Sequence, residues 1–122
     1  MPKSLPPFAA FNDEISYYGT LAHEHIHWTA APDRCNRELG KRFGDNAYAA
    51  EELVAELGAA FTCAHLGLST TPREDHAEYI QFWLRMMQAD KQAIFAAGYK
   101  AQRASDWLIQ RAEAGRKVEL AA

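Results

Sequence analysis

The five residues 23–27, His-Glu-His-Ile-His, restrict what this chain can fold into more than any other stretch. If they lie on a helix, His23 and His27 are one turn apart on one face, so both imidazoles can reach a single metal ion. Glu24 follows the first histidine and projects to the side of such an ion, where a general base meets a water molecule. The pattern H-E-x-x-H therefore predicts a helical metal site with ligands His23 and His27 and with Glu24 as the catalytic base.

The composition is that of an ordinary globular protein and excludes several functions. The 122 residues are 48% hydrophobic and 24% charged, enough for one domain with a real core. The net charge of -3 argues against direct nucleic-acid binding by this chain, and no apolar run approaches the length of a membrane span. Cys35 and Cys63 form no C-x-x-C pair and no signal-peptide pattern precedes them, so we expect a reducing, cytoplasmic setting without a membrane partner.

Helix signals dominate the chain, and strand signals are almost absent. The prolines of residues 1–11 predict an extended lead-in, and helices are expected over about 14–29, 47–66 and 72–87, the last with Thr71 as its N-cap. A last helix is expected from about residue 90, interrupted at Gly98, and residues 114–122 resemble a frayed tail. We predict one mainly α domain over residues 1–122, with little or no β-sheet.

A site of this class needs a third protein ligand and an open position for water. The second predicted helix carries Glu-Glu-Leu-Val-Ala-Glu at residues 51–56. Glu52 and Glu56 share one row of that helix, so we expect Glu52 as the third ligand and Glu56 as a carboxylate that hydrogen-bonds a ligand histidine. Glu51 lies on the other flank and is the alternative ligand; all three glutamates would otherwise form a solvated face. Zinc, one ion per chain, is the expected metal for two histidines and a carboxylate.

The remaining polar candidates have weaker support. His25 cannot share the face of the two ligand histidines, and His65, near a helix end, fits a surface position. His76 and Tyr79 open the third predicted helix, where either could donate a hydrogen bond to a developing oxyanion. Tyr79 also fits the apolar stripe of that helix and would then belong to the core.

The residues around these motifs resemble a known family. Residues 17–29 read Y-Y-G-T-L-A-H-E-H-I-H-W-T, which resembles the Y-Y-x-T-L-x-H-E-x-x-H-W-T pattern of ArdC-type antirestriction proteins, and residues 48–61 resemble the family's second block. A similar zincin-like metallopeptidase domain occurs in TraC-type primases and in polyvalent proteins. The resemblance covers about residues 8–108. It implies a gluzincin-type site in which His23, His27 and Glu52 hold zinc and Glu24 activates water.

The chain departs from the pattern of this family before the H-E-x-x-H helix. Full-length members carry an N-terminal domain that binds single-stranded DNA, and they place sheet strands before the helix, but residues 1–11 are too few for either. We therefore interpret the chain as the helical part of a zincin-like domain, either a fragment or a naturally reduced protein. An apolar face left uncovered by the missing sheet could drive homodimerisation.

These observations predict a zinc-dependent, metallopeptidase-like domain of an antirestriction protein, in which an activated water attacks a peptide carbonyl. The sequence does not name the protein or peptide substrate. The alternative is a metal-stabilised interaction module without turnover, which would protect incoming plasmid or phage DNA by binding host restriction components.

Overall fold

The structure, a computed structural model, describes residues 5–10, 14–38, 46–68, 83–85, 88 and 91–121. Over these ranges the chain forms a short 3-10 helix, Phe8–Ala10, and three α-helices: α1 is Glu14–Trp28, α2 is Asn46–His65 and α3 is Ala93–Ala121. Residues 83–85 are also helical. No strand occurs in these ranges, which confirms the prediction of a mainly α chain with little or no β-sheet.

The first two long helices begin and end within one residue of the predicted positions. Gly67 ends α2 as expected, with a φ of 77° that a residue with a side chain rarely adopts. The N–H of Leu68 then donates to the carbonyl of Cys63 at 2.8 Å, and this bond satisfies one of the last carbonyls of the helix.

The structure differs from the sequence-based expectation in α3 and in the first residues of the chain. Gly98 does not interrupt α3, because the cost of about 1 kcal/mol for a helical glycine is small beside the burial of Ala97, Ala101 and Ala104 on the same helix. The helix also runs through the expected frayed tail to Ala121, over a stretch rich in good helix formers. The expected extended lead-in contains the 3-10 turn, closed by a bond from the N–H of Ala10 to the carbonyl of Pro7. The first part of the third predicted helix lies outside the described residues.

The core lies around α2, which packs against both α1 and α3. Its buried members come from all three helices and from the segment at residues 83–85: Ile26, Leu53, Val54, Ala55, Trp83, Ala97, Ala101 and Ala104. Trp83 also donates its indole N–H to the carbonyl of Ala49 at 2.9 Å.

The helices α1 and α2 approach closely at one point. A Cβ atom added to Gly58 would lie only 2.8 Å from Cδ1 of Ile26, a side chain with no exposed surface. Glycine at this position therefore sets how near the two helices can come, and with it the distance between the side chains that they carry.

Phe95 and Tyr99, one turn apart on α3, remain 71% and 66% exposed. Homodimerisation through an uncovered apolar face stays a prediction. None of the helices in the described ranges is long and apolar enough to cross a membrane.

Candidate metal centre

The crossing of α1 and α2 brings His23, His27 and Glu52 together. Nε2 of His23 lies 3.1 Å from Nε2 of His27 and 3.2 Å from Oε2 of Glu52. Oε1 of Glu52 lies 3.0 Å from Nε2 of His27. His23 and Glu52 are buried and His27 is half-buried, and the three can offer one ligand atom each within 4.8 Å of one another.

The spacing of these atoms suits a divalent ion. Four ligands about 2.0–2.1 Å from a tetrahedral zinc ion lie about 3.3 Å from one another. The two Nε2 atoms lie 3.1 Å apart, and each lies 3.0–3.2 Å from a different oxygen of Glu52, so the separations are close to that value. Two imidazoles and a carboxylate are also a donor set that zinc commonly takes in catalytic sites. The residues present therefore fit the metal that the sequence predicted.

The second nitrogen of each imidazole faces another glutamate of α2. Nδ1 of His27 lies 2.9 Å from Oε2 of Glu51, and Nδ1 of His23 lies 3.6 Å from Oε2 of Glu56. With Nδ1 protonated, each ring presents the lone pair of Nε2 to the common centre. Glu51, the alternative third ligand, therefore lies outside the group of three, against the back of His27. Glu56 lies on the histidine side of α2, where the sequence placed a supporting carboxylate.

Arg37 joins this site, although sequence reasoning did not select it. The turn after α1 places Asn36 in the left-handed region with a φ of 52°, a conformation that asparagine tolerates better than most residues. The chain thereby folds back, and the N–H of Arg37 donates to the carbonyl of Ala30 at 2.9 Å. The Arg37 guanidinium then reaches Glu51, with Nε 2.8 Å from Oε1. The only local signal is an asparagine and an arginine shortly after a helix end, which is too common to indicate a site.

The electrostatics of the metal-free site favour protons on the histidines. Burial alone would lower the pKa of His27, but the hydrogen bonds and negative charges of Glu51 and Glu52 raise it to about 9. Burial also opposes the charged form of His23, and its neighbouring carboxylates still raise its pKa. The pKa of Glu52 is held well below its ordinary value, against the effect of burial, by the two histidines. A cation that binds here must displace protons, as is usual for a histidine-containing metal site.

The other candidates are distributed as follows. Glu24 is half-buried on α1, directly after the first histidine. Nδ1 of His25 lies 2.8 Å from the carbonyl oxygen of Leu21, so this ring is tied to its own helix. His65 is exposed at the end of α2. The oxyanion candidates His76 and Tyr79 lie outside the described residues.

A separate cavity of about 260 Å³ lies near the beginning of α2. Its described lining includes Arg37 and Glu51 but neither His23 nor His27. The cavity is therefore not the place where the three donors converge.

Comparison with known proteins places these features in a wider context. The family model of the zincin-like metallopeptidases of the MPTase-PolyVal type matches residues 3–100. The chain is 46% identical over 113 residues to the uncharacterized protein y4eC of Sinorhizobium fredii, which covers 92% of this chain and 37% of that protein. It is 36% identical over 105 residues to the DNA primase TraC of Escherichia coli, which covers 86% of this chain and 10% of the primase.

Two solved structures share the fold, both of the antirestriction protein ArdC from the R388 plasmid. The Mn(II)-bound form superimposes with a TM-score of 0.76 and 42% identity over 87% of this chain and 39% of that one. The metal-free form gives a TM-score of 0.76 and 44% identity over 89% of this chain and 39% of that one. The chain thus spans well under half the length of these relatives.

Proposed function

Because the chain belongs to the zincin-like metallopeptidase family, we propose that it is a metal-dependent peptidase domain in which His23, His27 and Glu52 hold one divalent ion. The observation that carries this proposal is the convergence of two imidazole nitrogens and the Glu52 carboxylate from two helices, with one donor atom from each residue within 4.8 Å of the others. Glu24 is the general base of this proposal, since it follows His23 on α1 and is itself half-buried.

A divalent ion in such a site polarises the substrate carbonyl and lowers the pKa of an attacking water. The Glu24 carboxylate accepts a proton from that water as its oxygen bonds to the carbonyl carbon. The same carboxylate then gives the proton to the leaving amine nitrogen as the peptide C–N bond breaks. His23 and His27 act as neutral donors through Nε2, and Glu51 at Nδ1 holds the ring of His27 in that tautomer.

Zinc is the metal we propose for the working protein. The related ArdC was solved with Mn(II), but two imidazoles and one carboxylate suit zinc better than manganese, which prefers more oxygen ligands. Elemental analysis of protein purified without added metal tests this choice. We expect about one zinc per chain, because one set of three donors holds one ion. Manganese in that ratio would instead support the metal seen in the relative.

The likeness to ArdC favours an antirestriction role. We propose that this role is exerted in the cytoplasm, with proteolysis of a protein component as the protective act. The variant Glu24→Gln distinguishes this proteolytic role from that of a metal-stabilised interaction module without turnover. We expect it to keep the metal but to lose about 10²–10⁴-fold in cleavage of a quenched-fluorescence peptide library, since it lacks a general base. Glu14→Gln is the matched control, because Glu14 is an exposed glutamate of the same helix.

Two results would decide against the proposal. If Glu24→Gln protects incoming DNA as fully as the unchanged protein, proteolysis is not the protective mechanism and the interaction module is favoured. If His23→Ala retains a full equivalent of metal, the assignment of the site itself is wrong.

A further inference from the structure

Two glutamates adjacent on α2 contact opposite nitrogens of the same imidazole. Glu51 and Glu52 are both buried, with side chains 5% and 11% exposed. Each lies about 3 Å from a nitrogen of His27, Glu51 from Nδ1 and Glu52 from Nε2. Neighbours on a helix project about 100° apart, so backbone geometry alone leaves both carboxylates close to the histidines. Some further contact must decide which of them faces the centre.

That contact comes from Arg37, whose side chain is 5% exposed. Its guanidinium donates to both oxygens of Glu51, with Nε 2.8 Å from Oε1 and Nη2 3.0 Å from Oε2. Such a two-point pair fixes the plane of the carboxylate as well as its position. A lysine ammonium cannot reproduce this fork.

Arg37 is itself anchored to the helix that carries the histidines. Nη1 donates to Oγ1 of Thr29 at 2.8 Å, and Nη2 donates to the carbonyl of Ile26 at 2.7 Å. Both acceptors lie within two residues of His27 in the sequence. The guanidinium therefore ties Glu51 of α2 to the end of α1, and the imidazole of His27 lies between the two helices.

We propose that Arg37 is a positioning residue that separates the roles of the two glutamates. By clamping Glu51 against Nδ1 of His27, it orients this ring toward the centre and leaves Glu52 to face both Nε2 atoms. The clamp also compensates the Glu51 charge, so the buried pair adds no net charge beside the ion. The inference rests on the proposed metal site and adds to it a residue that acts on the ion only through Glu51 and His27.

The direction in which Arg37→Met changes zinc affinity distinguishes a positioning role from simple charge repulsion. A guanidinium near a divalent ion opposes binding if it acts through its charge, so Arg37→Met would then raise zinc affinity. A positioning role predicts the opposite, a loss of about 10–100-fold, which is typical when a supporting partner of a metal ligand is removed. Zinc affinity is measured by competition with a chromophoric chelator, which needs no substrate.

A double-mutant cycle tests whether Arg37 acts through Glu51. Arg37→Met, Glu51→Gln and the double variant should each lose zinc affinity to a similar degree, because either change releases the same clamp. Nitrogen NMR of the imidazoles should show that the hydrogen-bonded Nδ1–H of His27 is lost while the His23 signals stay unchanged. Arg34→Met is the matched control, since Arg34 lies over the Trp28 ring, 3.9 Å from its centroid, in the same turn.

Several outcomes would overturn the inference: unchanged or increased zinc affinity in Arg37→Met, additive losses in the cycle, or an unaltered His27 signal. If Arg37→Met does not fold, Arg37→Lys and Glu51→Gln carry the test. We expect an intermediate loss for the lysine, because it retains the charge without the fork. Absence of zinc binding by the unchanged protein would instead reject the metal site, so the two failures are distinguishable.

Discussion

The two histidines of the candidate metal centre are held by different means. His23 has a side chain only 5% exposed, and its nearest supporting carboxylate, on Glu56, is 3.6 Å away and 30% exposed. The His27 side chain is 21% exposed, but its Nδ1 lies 2.9 Å from Glu51, whose side chain is 5% exposed and paired with Arg37. The first imidazole is therefore the more deeply buried, whereas the second has the closer and more deeply buried carboxylate at Nδ1.

The difference shows where the site depends on specific polar contacts. A nearly enclosed ring is restrained by burial itself, because rotation would require neighbours to move. A ring with more exposed surface lacks that restraint and needs a partner that is itself immobile. We expect zinc binding to be sensitive to substitution of the polar residues that support His27 and to tolerate substitution of the carboxylate near His23.

The largest expected contrast is between Glu51→Gln and Glu56→Gln. The first should weaken zinc binding by about 10–100-fold, because it disrupts the buried chain behind His27. The second should weaken it by less than about threefold, because a half-exposed pair at 3.6 Å contributes little. Chelator competition on both variants measures the contrast. Equal losses would mean that both rings depend on their carboxylates, and the division into two means of support would be wrong.

A second contrast concerns the pH dependence of stability in the metal-free protein. The pKa of His27 is raised from 6.5 to about 9, so its proton stabilises the folded state. That contribution is complete below pH 6.5 and is lost as the pH rises through 9. The lowered pKa of Glu52 acts on the other side, because its stabilisation is present above about pH 4.5 and is lost as the pH falls below that value.

We therefore expect the free energy of unfolding to fall by an amount on the order of 1–2 kcal/mol between pH 6.5 and pH 9. Urea unfolding in the presence of a chelator measures it. The variant His27→Gln should flatten the slope, whereas His65→Gln, at an exposed helix end, should leave it unchanged. A slope that survives in His27→Gln would assign the pH dependence to other groups.

Most of the fold could be predicted from local sequence signals, and so could the group of three donors. The H-E-x-x-H spacing places two histidines on one helical face, and the 51–56 block offers carboxylates on a second helix. Local periodicity favoured Glu52 as the ligand, but it left Glu51 as an alternative ligand and could not show that Glu51 lies against Nδ1 of His27. That placement depends on tertiary contacts, above all the one between Arg37 and Glu51.

The failures have a similar origin. Intrinsic propensity suggested a break at Gly98 and fraying after residue 113. The break does not occur, because packing of the alanine face of α3 against α2 outweighs the cost of the glycine, and the residues after 113 also stay helical. Arg37 was missed because its role depends on a left-handed Asn36 that reverses the chain. A single sequence does not distinguish such a turn from any other polar connection.

The smallest expected effect tests the helix contact that both histidines share. Ile26 lies between His23 and His27 in the sequence and packs against Gly58, where an added Cβ would come within 2.8 Å of it. Gly58→Ala gains helix propensity but overpacks the crossing, so we expect a net loss of about 1 kcal/mol of unfolding free energy. Gly98→Ala is the control, because a Cβ added there meets no described atom of a neighbouring element within 4 Å, and it should stabilise by about 0.5–1 kcal/mol.

The same variant indicates whether the two imidazoles move together. If α1 shifts as a rigid helix, the imidazole nitrogen signals of His23 and His27 should both change in metal-loaded Gly58→Ala. A change at His23 alone would mean that the buried chain through Glu51 and Arg37 holds His27 in place even when the packing beneath it is disturbed. Stabilisation equal to that of Gly98→Ala would show instead that the crossing of α1 and α2 has room for the added methyl group.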